Sequence, residues 1–296
     1  MSLCIAVLLV ISLQVFAQSN VSVSRVDTVH TDGNRAQVMQ LPPLKWHSMF
    51  TNIPGDWMRY GRTTFTVQNI PAIIGMGALT AALIATDDAT WKASDKWYNS
   101  SSTVKETSDF FEYMGDGRPQ FGLAGAFAVW GFVASDSRAL RTSSELIEAI
   151  LATGVVVQVL KHATGRESPF VSTAPGGIWR FLPNQIEYHK HVPKFDAYPS
   201  GHIATAMATV TVVAENYPEW TWVRPVGYPI VALIGIAMAN TGIHWYSDYP
   251  LGLALGYSFG MIASHPELVA VSNDAPVSLL PLISPYGAGI AVRIDL

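Results

Sequence analysis

The chain is 296 residues long, 49% hydrophobic and only 14% charged, against about a quarter charged in average soluble domains. That balance suits one large core or partial immersion in lipid. A formal net charge of -4, a pI near 6.0 and the lack of any basic stripe argue against a nucleic-acid partner, and the single cysteine, Cys4, excludes an intramolecular disulfide and a thiol-ligated metal site.

In chain order, the opening MSLCIAVLLVISLQVFAQ holds an apolar run bounded by Val15-Phe16-Ala17, a pattern similar to a secretory signal over residues 1–17. No Lys or Arg precedes the run, so an uncleaved anchor stays open as the other reading. Residues 18–68 are mixed and polar, interrupted at Pro42-Pro43 and Pro54-Gly55, and are expected to form an irregular N-terminal arm. Six apolar helical segments follow near 70–86, 120–135, 145–162, 201–216, 227–243 and 250–264, giving an all-α helical domain over 69–268. Two long polar connections separate them. One contains Trp91, Trp97 and the turn-rich Gly115-Asp116-Gly117-Arg118-Pro119, and the other runs from Gly165 to Pro199. Connections of that length are usually functional or lid-like. Asp87 and Asp88 fall at the expected end of the first helix, where the dipole disfavours acids, and they find no functional account in the sequence. In the tail, 269–296, alternation at Ile290, Val292, Ile294 and Leu296 suits one short β-hairpin.

The apolar runs, about 15 to 18 residues each, are short of the roughly 20 that a spanning helix needs. Basic residues do not decide between an exported bundle and a multispan protein: Arg138 and Arg141 lie on one side of a spanning arrangement, and Lys161, Arg166, Arg180, Lys190 and Lys194 on the other.

The chemistry-bearing residues gather at helix ends. The third apolar segment closes in Lys161-His162-Ala163-Thr164-Gly165-Arg166-Glu167-Ser168-Pro169, the fourth opens with Pro199-Ser200-Gly201-His202, and the fifth leads into His244 and Asp248. Ser200 is a good N-cap, and a helix start whose N–H groups point outward favours an anion. Phosphoryl transfer through histidine needs fixed positive charge, a neutral imidazole nucleophile, a carboxylate to orient it and a second imidazole as acid. Each has a candidate here.

These motifs resemble the type 2 phosphatidic acid phosphatase family, in the superfamily that includes bacterial acid phosphatases and vanadium haloperoxidases. The family pattern is a Lys followed seven residues later by Arg-Pro, then Pro-Ser-Gly-His, then Ser-Arg with His six residues after the Arg and Asp four beyond. Lys161, Pro169, Pro199, Ser200, Gly201, His202, His244 and Asp248 match it, and the resemblance covers about residues 70–265. It implies a six-helix bundle that needs no metal or other cofactor. His244 would be the nucleophile, Asp248 its orienting carboxylate and His202 the acid and base, with Lys161 and the amides of Ser200 and Gly201 on the phosphate. The implied partner is a phosphorylated lipid or small phosphomonoester, and the implied place is a bacterial-type cell envelope, periplasmic or membrane-associated.

Two family arginines are replaced. Ser168 stands at the first position, and Met238, preceded by Ala237, stands at the second. Neither can supply a bidentate phosphate clamp. Arg166, two residues before the vacancy, is placed among the phosphate-binding residues as compensation, and Arg180, beside Trp179 and Phe181, is read as stacked on an aromatic surface. The losses keep a second reading open, a weak or inactive member of the fold that binds anionic headgroups or acts as an envelope scaffold. A vanadate-dependent peroxidase ranks third. The His189-x-His191 pair lacks ligands at metal spacing, His162 reads as a polar helix end, and Asp116 with Arg118 could face the site, a turn being the safer reading.

Overall fold

The computed structural model describes residues 47–265 together with 277–284 and 287–294. The expected signal peptide and the arm up to residue 46 lie outside these, as does the expected domain boundary at 268. The described residues form an all-α bundle: α1 (Ser48–Thr51), α2 (Ile53–Thr64), α3 (Ile70–Ile84), α4 (Asp87–Tyr98), α5 (Ser102–Gly115), α6 (Arg118–Ala134), α7 (Ser137–Thr164), α8 (Gln185–Lys190), α9 (Gly201–Asn216), α10 (Val223–Asn240) and α11 (Tyr249–Ser264). Strands β1 (Val277–Ser284) and β2 (Gly287–Ile294) pair antiparallel, Val277 opposite Ile294.

Six of these helices, α3, α6, α7, α9, α10 and α11, are the six apolar segments of the sequence. The other five correct the expectation. Residues 48–64, read as irregular arm, are helical, and the polar connection after α3 folds into α4 and α5. Charge and capping support these helices beside short apolar faces: Ile53, Trp57 and Tyr60 of α2 pack with Leu255 and Phe259, and Phe111 and Met114 of α5 pack against Ile203, Val231 and Ile234. In α4, Asp87 and Asp88 occupy the first turn and Lys96 the last, matching the helix dipole, and Lys92 pairs with Asp88 one turn back at 2.6 Å. In α5, the Ser101 hydroxyl accepts from Val104 N–H and caps the start. Asp87 therefore opens a helix instead of closing one, and the dipole favours it there.

The helix α7 is the backbone of the site. Asp136 caps its start by accepting from the Arg138 and Ala139 amides, and Gly165 ends it in the left-handed conformation at φ 55°. A side chain at Gly165 would be strained, and its Cβ would fall 2.2 Å from the Arg180 carbonyl oxygen. Against α7 pack α9 and α11, with Ala204 and Leu255 buried between them beside Ala152 and Val157. Helix α11 approaches α9 on Gly252, Gly256 and Gly260; at Gly256 a Cβ would lie 2.1 Å from the Ala204 carbonyl oxygen. The connection 165–199 folds back on the end of α7 and brings Leu182 and Gln185 to the cavity described below. The Arg166 backbone bridges both Trp179 and Asp196, and the Thr164 hydroxyl donates to the Tyr198 carbonyl at 2.9 Å.

Candidate active site

His202 stands in the first turn of α9, where Ser200 caps the helix by accepting from Ile203 N–H. His244 follows α10, its amide held by the Met238 carbonyl. The two imidazoles, 42 residues apart, meet with Nδ1 of His202 3.1 Å from Nε2 of His244 and their planes at 69°. Nδ1 of His244 lies 2.8 Å from the Ala197 carbonyl oxygen and 3.5 Å from Oδ2 of Asp248. Hydrogen bonding to that carbonyl places the proton on Nδ1 and leaves Nε2 as the nitrogen with a lone pair. Asp248 Oδ2 also accepts from the Trp245 amide at 2.8 Å, which fixes the turn carrying both residues.

In front of this pair is a cavity of about 930 Å³. Lys161, Gly201 and His202 stand on its wall, with Asp116 and Gly117 from the α5–α6 junction and an apolar flank from α7 that includes Ile150, Leu151 and Val155. His244 is not on that wall. It is buried behind His202, and the two rings touch directly. Lys161 is buried too, its Nζ 3.4 Å from Asp196 Oδ2. Burial holds both imidazoles far below the usual histidine range, to about 3 each; for His202 the neighbouring His244 and then Lys161 add to the effect, and for His244 Lys161 does. Burial raises the Asp248 carboxyl to about 6 against the pull of Arg166. At neutral pH the site holds two neutral imidazoles and a carboxylate.

Residues 143–266 match the family model of the PAP2 superfamily. That segment, less than half of the chain, is what is similar to the superfamily. Among curated proteins, the Lipid A 1-phosphatase of Porphyromonas gingivalis is 36% identical over 66 residues, which are 22% of this chain and 15% of that protein. Among solved structures, LpxE of Aquifex aeolicus aligns with 58% of this chain and 91% of its own at 21% identity and a TM-score of 0.44. A transmembrane PAP2 type phosphatidylglycerolphosphate phosphatase of Bacillus subtilis aligns with 67% and 98% at 16% identity and a TM-score of 0.45.

Within residues 143–266 the structure places several of the expected phosphate ligands elsewhere. Arg166, placed among them from the sequence, is fully buried and absent from the cavity wall. Its Nη1 donates to Asp248 Oδ1 at 2.5 Å and to Ser247 Oγ at 2.6 Å, while Nη2 donates to Asp87 Oδ2 at 2.6 Å and to the Gly176 carbonyl at 2.8 Å. The Ser200 amide donates to the Asp248 carbonyl at 3.0 Å and so ties the two motifs together instead of pointing to an anion. Gly201 keeps its place on the cavity wall at the amino end of α9. The positions of the replaced arginines are closed over: Ser168 is buried, and Met238 packs against Ile203, Ala206, Val231, Ile234 and Tyr249.

The remaining candidates resolve individually. Glu167 turns away from the site and takes the Thr173 and Ile178 amides and Arg180, whose Nη2 reaches it at 2.8 Å. Arg180 lies over the Phe195 ring, not over its sequence neighbours Trp179 and Phe181. His162 reaches the cavity wall and stacks on Tyr188, 4.0 Å between centroids. His189 Nδ1 lies 2.7 Å from the Gln185 carbonyl, and His191 lies beside Glu187. Trp245 is buried, its indole donating to the Glu167 carbonyl at 2.7 Å. Two residues that the sequence reading left without a role stand at or behind the site. Asp116, for which a turn was the safer reading, is on the cavity wall, paired with Arg118 at 2.6 Å. Asp87 reaches Arg166 from a helix that has no apolar pattern to announce it.

Proposed function

We propose that the chain is a phosphatase acting on phosphate monoesters, with lipid phosphates or lipid-linked pyrophosphates as the preferred class, through a phosphohistidine. The observation that carries this reading is the contact between His202 and His244 at the foot of a cavity that also presents Lys161 and the amino end of α9. The apolar flank of that cavity suits the body of an amphipathic substrate. Both the PAP2 assignment and the name of the matched relative agree with phosphate ester chemistry.

In this mechanism the substrate phosphate displaces the His202 ring from Nε2 of His244, with Lys161 and the first-turn amides at Gly201 on its oxygens. Nε2 attacks phosphorus, the P–O bond to the leaving group breaks, and His202 gives its proton to the departing alkoxide. An empty site holds His202 neutral, whereas a bound phosphate dianion adds the negative charge that favours imidazolium. Water then attacks the phosphohistidine, giving its proton to His202 and returning His244 to its neutral form. Asp248 stabilises the positive charge that develops on His244 in both steps.

A second reading, a weak enzyme or headgroup binder, draws on the engagement of Arg166 with carboxylates and the burial of Ser168 and Met238, which leave Lys161 to neutralise the anion. Losing one preorganised donor costs about 10²–10³ in rate. A panel of lipid phosphates and small phosphomonoesters, assayed beside His244→Ala, separates the two. Release of inorganic phosphate by the wild type and its loss in the variant are expected. Equal rates in both would rule out the nucleophile, and tight binding of phosphatidic acid without turnover would favour the second reading.

A further inference from the structure

We propose that Asp87 is a positioning residue of this site, setting Asp248 and through it His244 by way of Arg166; this rests on the phosphohistidine reading above. Asp87 is the first residue of α4 and is fully buried, though 79 residues separate it from Arg166 and 160 from Ser247. Its Oδ2 accepts from Arg166 Nη2 at 2.6 Å and from the Ser247 hydroxyl, and its Oδ1 lies 3.4 Å from the Ser247 amide. Asp87 thus grips the 245–248 turn and the guanidinium together, from the side away from His244.

The guanidinium is clamped as well. Its Cζ lies 4.7 Å from the centroid of the Trp179 ring and 5.2 Å from that of Trp245, and both terminal nitrogens are engaged. A rigid planar fork held this way can orient only what it touches, and on the site side that is Asp248 Oδ1. The other oxygen, Oδ2, is the one beside His244 Nδ1. Two carboxylates sharing one guanidinium keep a net negative charge at that spot. Without Asp87 the full positive charge of Arg166 would fall on Asp248 and weaken its hold on an imidazolium or phosphoimidazolium. A buried cluster of three charges is a poor way to gain stability alone, since well-packed apolar residues do as well or better. Here it ends on the carboxylate that adjoins the proposed nucleophile.

The test uses the full chain with Asp87→Asn, which keeps the shape and removes the charge, and Asp88→Asn as a surface control. Asp88 is half-buried, lies outside the Arg166 cluster and pairs with Lys92. Asp87→Asn should lower kcat by about 10–100-fold with KM within about threefold, as for other residues that orient a reacting group from behind. Added to Asp248→Asn it should cost little more, because the two act as a unit; multiplicative losses would overturn the proposal. The imidazole ¹⁵N signals of His244 at pH 7 give a readout that needs no turnover. They should move in Asp87→Asn and stay put in Asp88→Asn, and unchanged signals would overturn the proposal even if the wild type hydrolyses nothing. Should Asp87→Asn not fold, Ser247→Ala cuts one arm of the same grip. It should move the His244 signals in a folded protein, and no movement there counts against Asp87.

Discussion

His202 and His244 are kept neutral by their burial, and that has a consequence for stability. A histidine whose folded pKa is near 3 and whose unfolded pKa is about 6.5 stabilises the fold above pH 6.5 and loses that contribution as the pH falls toward 3. The Asp248 carboxyl, raised to about 6, has the opposite sign: it favours the fold at low pH and loses its contribution as the pH rises through 6. For these three groups alone, between about pH 6 and 4, two histidine protons are opposed by one carboxyl proton, a contribution of about 1.4 kcal/mol of destabilisation per pH unit on acidification. His202→Asn should lose one histidine's share, so that its stability relative to wild type rises by about 1.4 kcal/mol for each pH unit of acidification, as measured by denaturant unfolding at pH 4, 5 and 6. An unchanged slope would show that the ring is not held neutral.

At the scale of elements, the distance between α9 and α11 decides whether the motifs meet. Asp248 lies just ahead of α11 and Ser200 caps α9, and the Ser200 amide is bonded to the Asp248 carbonyl only because glycines at 252, 256 and 260 let the helices touch. Gly256→Val would force a side chain onto the Ala204 carbonyl. Overpacking of this kind costs about 1–3 kcal/mol, so the variant should unfold at lower denaturant and lose phosphate release at temperatures where it is still folded. Stability and activity both equal to wild type would show that the helix spacing is not set by these glycines.

Across the whole molecule, apolar side chains remain on the outside. Over Val67–Ile84, 18 residues of mean hydropathy 1.6, only 6% is buried, and on α6 the residues Val129, Phe132 and Val133 are 64%, 76% and 83% exposed. Ser137–Thr164 and Val223–Asn240 are also long and apolar enough to cross a membrane. Apolar surface of this extent is costly in water and stable in lipid, and the protein is membrane-associated on that ground. Because the attraction is hydrophobic, salt should not screen it. The protein is expected to stay with membranes through high salt and alkaline carbonate and to come off in detergent; recovery in the carbonate supernatant would contradict this.

The amino-acid sequence by itself determined the six apolar helices, the cap at Ser200 and the order of Lys161, His202, His244 and Asp248. Each depends on neighbours within a turn or two, through hydrophobic period, capping and spacing. The polar helices α4 and α5 did not stand out by that period, because α4 buries little more than Asp87 and Ser94 and the core-facing Phe111 and Met114 of α5 lie among polar residues. Only the tertiary structure decided that Arg166 serves Asp87 and Asp248 instead of an anion, that the Ser200 amide is bonded to Asp248, and that His202 stands between the cavity and His244. A cation takes whichever carboxylates packing brings within reach, and those here come from 79 and 82 residues away.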